Sequence, residues 1–318
     1  MNSVSVRHSL TALEDGIAVR LIKTNSDVQN FQKMAIAFIK FHGYGNDYIV
    51  IEAAGMGSVA NLGLLARQIC DRHYGAGADG IAVVSPAGNS DADFRVRIFN
   101  PDGSEAGLSG NGTRCAAAYL YFQKLWTARE LRLSTRTGLK RYFLRAETGP
   151  GEYVFASELG QPKLDSASVP LLTEQPMDPV VDYPLVVNGE TFAITALQMG
   201  NPNCCIFVDD FAALDWRAVG RAIETHRQFP DRTNVTFVRV LNRSEIELRI
   251  WERGVGETTA SGTCSCAAAV ASMVNGKTDR RVTALTPGGK VDIHWRDDNE
   301  VVITGSAAIV YRGDWLAG

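Results

Sequence analysis

The feature that most constrains this chain is an internal echo. Ser109-Gly-Asn-Gly-Thr-Arg-Cys-Ala-Ala-Ala-Tyr returns about 150 residues later as Ser261-Gly-Thr-Cys-Ser-Cys-Ala-Ala-Ala-Val, each time after an apolar stretch and a glycine-rich turn. A chain that repeats one helix entrance is expected to fold into two comparable halves, and 318 residues are enough for two cores. In both copies a hydroxyl residue and a glycine precede a run of alanines. The helix can then lie close to neighbouring backbone, while its first amides, which lack partners inside the helix, point outward. Such an end attracts anions. One copy alone reads as an N-cap followed by close core packing. Two copies, each beside a glycine-rich and charged turn, read as a two-sided site between the halves.

Composition narrows the partners. With 45% hydrophobic residues, 21% charged residues and a net charge of −3, neither a disordered chain nor a nucleic-acid coat is expected. No apolar run reaches the roughly 18–20 residues that cross a bilayer, so no membrane partner is expected either. The six cysteines, Cys70, Cys115, Cys204, Cys205, Cys264 and Cys266, are too few and too irregular for a disulfide framework; they read as reduced thiols of a cytoplasmic chain. Cys264 and Cys266 form only a Cys-x-Cys pair without zinc-like spacing, and no metal is expected. Cys115 and Cys266 read as buried small hydrophobes, and Cys264, nearer a helix start, is weighed as a thiol reaching the cleft.

Short β-branched or aromatic segments predict strands at 48–52, 80–85, 94–99, 130–134, 153–157, 191–197, 205–208, 234–240, 245–250 and 301–310. Helical patterns fall at 62–71, 111–124, 215–226 and 264–273. This is an α/β chain with much sheet. Residues 149–184 carry six of the eleven prolines and read as a loop-rich connection between domains. Residues 1–33 lack a long periodic pattern and read as a disordered extension, with Met34 opening the functional fold.

Polar turns gather beside both entrances. Phe99-Asn100-Pro101-Asp102-Gly103-Ser104-Glu105 precedes the first, and Trp251-Glu252-Arg253-Gly254-Val255-Gly256-Glu257-Thr258 precedes the second. A Glu-Arg pair can hold an ammonium and a carboxylate together. His42-Gly43-Tyr44-Gly45-Asn46-Asp47, Gly200-Asn201-Pro202-Asn203 and Thr233-Asn234-Val235 add asparagines in turns, where local backbone bonding is the usual role.

Together these segments resemble, in order, the signature blocks of diaminopimelate epimerase, from about Met34 to the end. The resemblance implies two pseudo-symmetric α/β halves, each a curved, mostly antiparallel sheet wrapped around a central helix, with the active site in the cleft between them. It places the halves at 34–155, completed by 305–318, and at 156–304. It also implies an isomerase that uses no pyridoxal phosphate, interconverts LL- and meso-diaminopimelate for lysine and peptidoglycan precursors, and forms a homodimer. Two cysteines, one at each entrance, would face opposite sides of the α-carbon of a small dicarboxylic amino acid. One removes a proton while the other delivers one. By position, Gly110, Asn111, Gly262 and Thr263 would clamp the α-carboxylate. Asn46, Asn100, Asn201, Asn234, Glu252 and Arg253 would grip the amino groups and the distal carboxylate.

The catalytic positions depart from the family. Ser109 and Ser261 stand where it has its cysteines, Asn203 stands where it has a histidine, and Gly80 stands where it has a glutamine. A serine hydroxyl titrates several units above a thiol near 8.5, at about 1.36 kcal/mol per unit. The candidate acids and bases are therefore Ser109 and Ser261 themselves, His73, Glu105, Glu252 and Glu257, with Glu252 or Glu105 as the carboxylate base. Two further readings follow from the departures: an isomerase or dehydratase of the same fold acting on another acid, and a binding protein that keeps the clamp without turnover.

Overall fold

The computed structural model describes residues 35–57, 59, 61–88, 91–107 and 109–316; the extension 1–33 and Met34 lie outside them. The first half runs β1 (Ala35–Gly43), β2 (Asn46–Glu52), α1 (Leu62–Cys70), β3 (Gly80–Pro86), β4 (Phe94–Phe99), β5 (Glu105–Ala106), α2 (Gly110–Phe122), β6 (Glu130–Thr135), β7 (Gly138–Gly149) and β8 (Glu152–Gly160). After β9 (Val180–Val187) the second half repeats the order. It runs β10 (Glu190–Gln198), β11 (Pro202–Phe207), α3 (Trp216–Glu224), β12 (Asn234–Asn242), β13 (Glu245–Glu252), β14 (Gly256–Thr258), α4 (Gly262–Val274), β15 (Arg281–Thr286), β16 (Gly289–Trp295) and β17 (Val301–Leu316).

The echo extends to strand pairing. β2–β3 and β4–β6 are parallel in the first half, as β11–β12 and β13–β15 are in the second. The pairings β1–β2, β3–β4, β4–β5, β6–β7 and β7–β8 are antiparallel, and so are their counterparts β10–β11, β12–β13, β13–β14, β15–β16 and β16–β17. Register then matches residues between halves. Tyr48 pairs with Gly80 as Asn203 pairs with Asn234, and Phe99 pairs with Glu105 as Trp251 pairs with Glu257. The strands of the two halves form one continuous sheet, joined where β17 runs antiparallel to β8 and pairs with β1.

Each half closes around one helix. α2 is buried from Asn111 to Tyr121 and α4 from Cys264 to Ser272, so neither needs a polar face. Ala116, Ala117 and Ala118 let β2, β3, β4 and β8 approach α2, and Ala267, Ala268 and Ala269 do the same for α4. Leu120, Val50 and Ile98 fill the first core, and Leu248, Ile250 and Ile293 the second. Each contributes about 1.5–3 kcal/mol by leaving water. α1 and α3 cover the outer faces, with Ile69 and Ile223 inward.

All four predicted helices and all ten predicted strands are present, within a few residues at their ends. The set was incomplete. β7 exposes Leu139, buries Tyr142 and leaves most of its other residues at least partly exposed, so its apolar pattern is weak and the backbone ladder to β6 and β8 carries it. β15 and β16, outside the predicted set, turn Val282, Ala284, Val291 and Ile293 inward with a period of two. The stretch read as loop-rich holds β8 and part of β9. Pro184 is tolerated because β9 pairs with β10 alone among the described residues, at an edge where a missing amide costs little.

Candidate functional site

The first entrance is built on β2 and α2. Ser109 takes an extended backbone and caps α2, its Oγ accepting the Gly112 N–H at 3.0 Å. The same Oγ accepts the Tyr48 O–H at 2.8 Å. The Ser109 carbonyl accepts the Thr113 N–H at 2.9 Å, which leaves the amides of Gly110 and Asn111 without acceptors among the described residues. The Asn111 Nδ2–H donates to Asn46 Oδ1 at 3.2 Å, and Asn46 donates to Asp79 at 2.8 Å. Behind them Arg114, 2% exposed, donates to Asn111 Oδ1 and lies over the Tyr44 ring.

Asp47 secures this corner. Burial pushes its carboxyl up, but hydrogen bonds from Arg72 and Lys40 outweigh that and hold it below the usual carboxylate range. Asn100, at the end of β4, is bonded within its own turn, its Nδ2–H donating to Ser104 Oγ at 2.9 Å.

The second entrance is built on β13 and α4, and it is arranged differently. Ser261 also takes an extended backbone, yet its side chain caps nothing. Its hydroxyl instead donates to Glu252 Oε2 at 3.0 Å. The Ser261 carbonyl accepts the Ser265 N–H at 3.0 Å, leaving the amides of Gly262, Thr263 and Cys264 spare among the described residues. Burial pushes the Glu252 carboxyl above its ordinary value, with Thr258 and Ser261 opposing. A carboxylate poised in this way suits proton abstraction.

A chain of amides flanks this pair. Asn203 Nδ2–H donates to the Asn201 carbonyl at 2.7 Å, Asn234 Nδ2–H reaches Asn203 Oδ1 at 3.4 Å, and Asn234 Oδ1 accepts the Arg253 backbone N–H at 2.9 Å. The Arg253 guanidinium is exposed and donates to the Asp231 carbonyl at 2.8 Å.

The other candidate bases are occupied. Glu105 is clamped by Arg97 at 2.8 and 2.9 Å, and that hydrogen bonding holds its carboxyl below the usual range. Glu257 forms a two-pronged exposed pair with Arg217 at 2.6 and 2.8 Å. His73 lies exposed on the turn after α1, its backbone N–H bonded to Asp71. Cys264 does not reach open space. It is fully buried, and burial first and the Glu252 charge second push its thiol well above the ordinary value. Burial also pushes Cys115 and Cys266 up to about 12.

Sequence reasoning missed Tyr48, Asp79 and Glu224. Glu224 is 5% exposed, accepts Trp251 Nε1–H at 2.8 Å and the Gly254 N–H at 2.7 Å, and pairs with Arg232. It thereby holds the turn that carries Glu252 and Arg253. The available signal was a glutamate beside Ile223 on the apolar face of an amphipathic helix.

Comparison with known proteins agrees with this architecture. A family model described as diaminopimelate epimerase matches residues 38–164 and 195–310. The diaminopimelate epimerase of Moorella thermoacetica is 43% identical over 279 residues, covering 87% of this chain and 98% of that protein. That of Synechocystis is 40% identical over 281 residues, covering 88% and 99%. Among solved structures, a phenazine biosynthesis protein of the PhzF family from Bacillus anthracis superposes with TM-score 0.61 at 16% identity, covering 89% of this chain and 99% of that one. A hydroxyproline epimerase from Agrobacterium vitis does so with TM-score 0.62 at 13% identity, covering 89% and 91%. These two share the fold.

Proposed function

This chain belongs to the diaminopimelate epimerase family, and on that premise we propose that it is an isomerase inverting the α-carbon of diaminopimelate between the LL and meso forms. The observation that carries the reading is the Ser261–Glu252 hydrogen bond at one of two matching helix entrances. The α-carboxylate sits on the spare amides of Gly262 and Thr263, with Gly110 and Asn111 facing it from the other half. These amides also stabilise the charge that develops when the α-proton leaves. Ser261 Oγ takes that proton as its own passes to Glu252, so no free alkoxide forms at this entrance. Ser109 delivers a proton from the opposite face. Asn46, Asn100, Asn201, Asn234 and Arg253 hold the amino groups and the distal carboxylate.

The same reading gives the halves as 34–155 with 305–318, and 156–304, supported by the pairing of β17 with β8 and β1. It carries a homodimer working in the cytoplasm on lysine and peptidoglycan precursors. Among the described residues, no helix is long and apolar enough to cross a membrane.

The test is incubation with LL- or meso-diaminopimelate in deuterium oxide. Two-sided proton transfer places deuterium at the inverted α-carbon. Absence of label with binding detected by calorimetry overturns turnover and leaves a ligand-binding member of the family, the outcome to which the two serines and Asn203 would then point.

A further inference from the structure

The register between halves isolates one substitution of roles. Asn203 and Asn234, hydrogen-bonded to each other in the second half, correspond to Tyr48 and Gly80 in the first. Gly80 has no side chain because the Tyr48 ring occupies the space: a Cβ there would stand 2.7 Å from Tyr48 Cε1 and 2.8 Å from the Phe99 carbonyl. Gly112, in the first turn of α2, meets the ring from another side, where a Cβ would stand 2.9 Å from the same carbon. Two glycines thus make a slot for one phenol, 5% exposed, whose oxygen ends 2.8 Å from Ser109 Oγ.

The hydroxyl count gives the bond a direction. A serine oxygen accepts two hydrogen bonds and donates one. The Gly112 N–H and the Tyr48 O–H fill both acceptor places of Ser109, and among the described residues its own proton has no acceptor. At Ser261 the reverse holds, since its proton is committed to Glu252 and lone-pair capacity remains.

We propose that Tyr48 is a positioning residue that fixes Ser109 as the proton donor of the site and resupplies its proton; this rests on the isomerase reading above. As the new Cα–H bond forms, the Ser109 O–H bond breaks. The Tyr48 proton moves to Ser109 Oγ and the negative charge ends on the phenolate. The same steps run backwards from the phenolate when the opposite isomer is the substrate; otherwise the phenolate regains a proton from solvent water. Burial holds Tyr48 above the usual phenol range, so it rests as a protonated donor.

The experiment compares Tyr48→Phe in the native chain and in Ser109→Cys. Phenylalanine keeps the ring in its slot and removes only the hydroxyl. In the native chain kcat falls about tenfold or more with KM within about twofold, because a directed proton is lost and no substrate contact is. In Ser109→Cys the same change costs less than about twofold, since the thiol supplies its own acidic proton. Equal cost in both backgrounds, or no cost in the native chain, overturns the proposal. A second readout needs no turnover: 13Cζ-tyrosine NMR, with the Tyr48 signal assigned by its loss in Tyr48→Phe. Its chemical shift at neutral pH moves when Ser109 becomes Ala, and a shift indifferent to Ser109 overturns the pairing even if the chain proves inactive toward diaminopimelate.

Discussion

Ser109 and Ser261 occupy corresponding places at the starts of α2 and α4, but their hydrogen bonds run in opposite senses. Ser109 accepts from Gly112 and Tyr48, whereas Ser261 donates to Glu252. The difference arises from neighbours that also correspond. Glu252 follows Trp251 at the end of β13, and its counterpart after Phe99 is Asn100, an amide that bonds to Ser104 and cannot act as a base. On the isomerase reading proposed above, a near-symmetric scaffold presents unlike groups to the two faces of one carbon. A planar carbanion needs a base on one side and an acid on the other, and the asymmetry supplies one of each in the resting protein.

The largest expected effect comes from removing the proposed base. Glu252→Gln keeps the size and a hydrogen bond to Ser261 but cannot take a proton; deuterium incorporation falls by about 10²–10⁴-fold, the usual worth of a general base. The pH profile gives the sign. Glu252 must be ionised to accept a proton, and burial raises its carboxyl. The acid limb of kcat/KM accordingly lies above the ordinary glutamate value of about 4.3, with rate lost as pH falls through it. A wild-type limb at or below that value would mean that another carboxylate is the base, and the contrast between entrances would fail.

Next in size is restoration of thiols. Ser109→Cys with Ser261→Cys is expected to raise epimerisation about tenfold or more, because a thiol at a helix N-terminus ionises far more readily than a serine hydroxyl. The single variants sharpen the comparison. Ser109→Cys should give the larger share, since Ser261 already has a carboxylate to receive its proton. An equal gain from each, measured under saturating substrate, would show that the bond to Glu252 confers no advantage.

Much of this is legible in the sequence. The echo of Ser109-Gly and Ser261-Gly announced two halves because a helix entrance repeats as residues, and the turn asparagines and Glu252 lay in contiguous motifs. What stayed hidden was carried by register. Tyr48 reads as a core aromatic of a strand, and only its pairing with Gly80 and its approach to Gly112 aim the hydroxyl at Ser109. Glu224 lies 28 residues before Glu252, and nothing local joins them until α3 folds over β12 and β13. Strands such as β7 escaped because backbone pairing, which leaves little mark on composition, holds them.

The smallest expected effect bears hardest on the first entrance. Glu105 corresponds to Glu257 by register, and each is clamped by an arginine, Arg97 and Arg217 respectively. Clamped carboxylates are strongly solvated by their partners and resist protonation, so Glu105 is a poor base despite lying one short turn from Asn100. Glu105→Gln is therefore expected to change the rate of deuterium incorporation by less than about twofold, as is usual for a partly exposed ion pair away from the reacting atoms. The measurement is made from both stereoisomers, because a base on the Ser109 face would act on one of them only. A loss approaching that of Glu252→Gln from either isomer would place a carboxylate base at each entrance. The opposed roles of Ser109 and Ser261 would then give way to a symmetric pair.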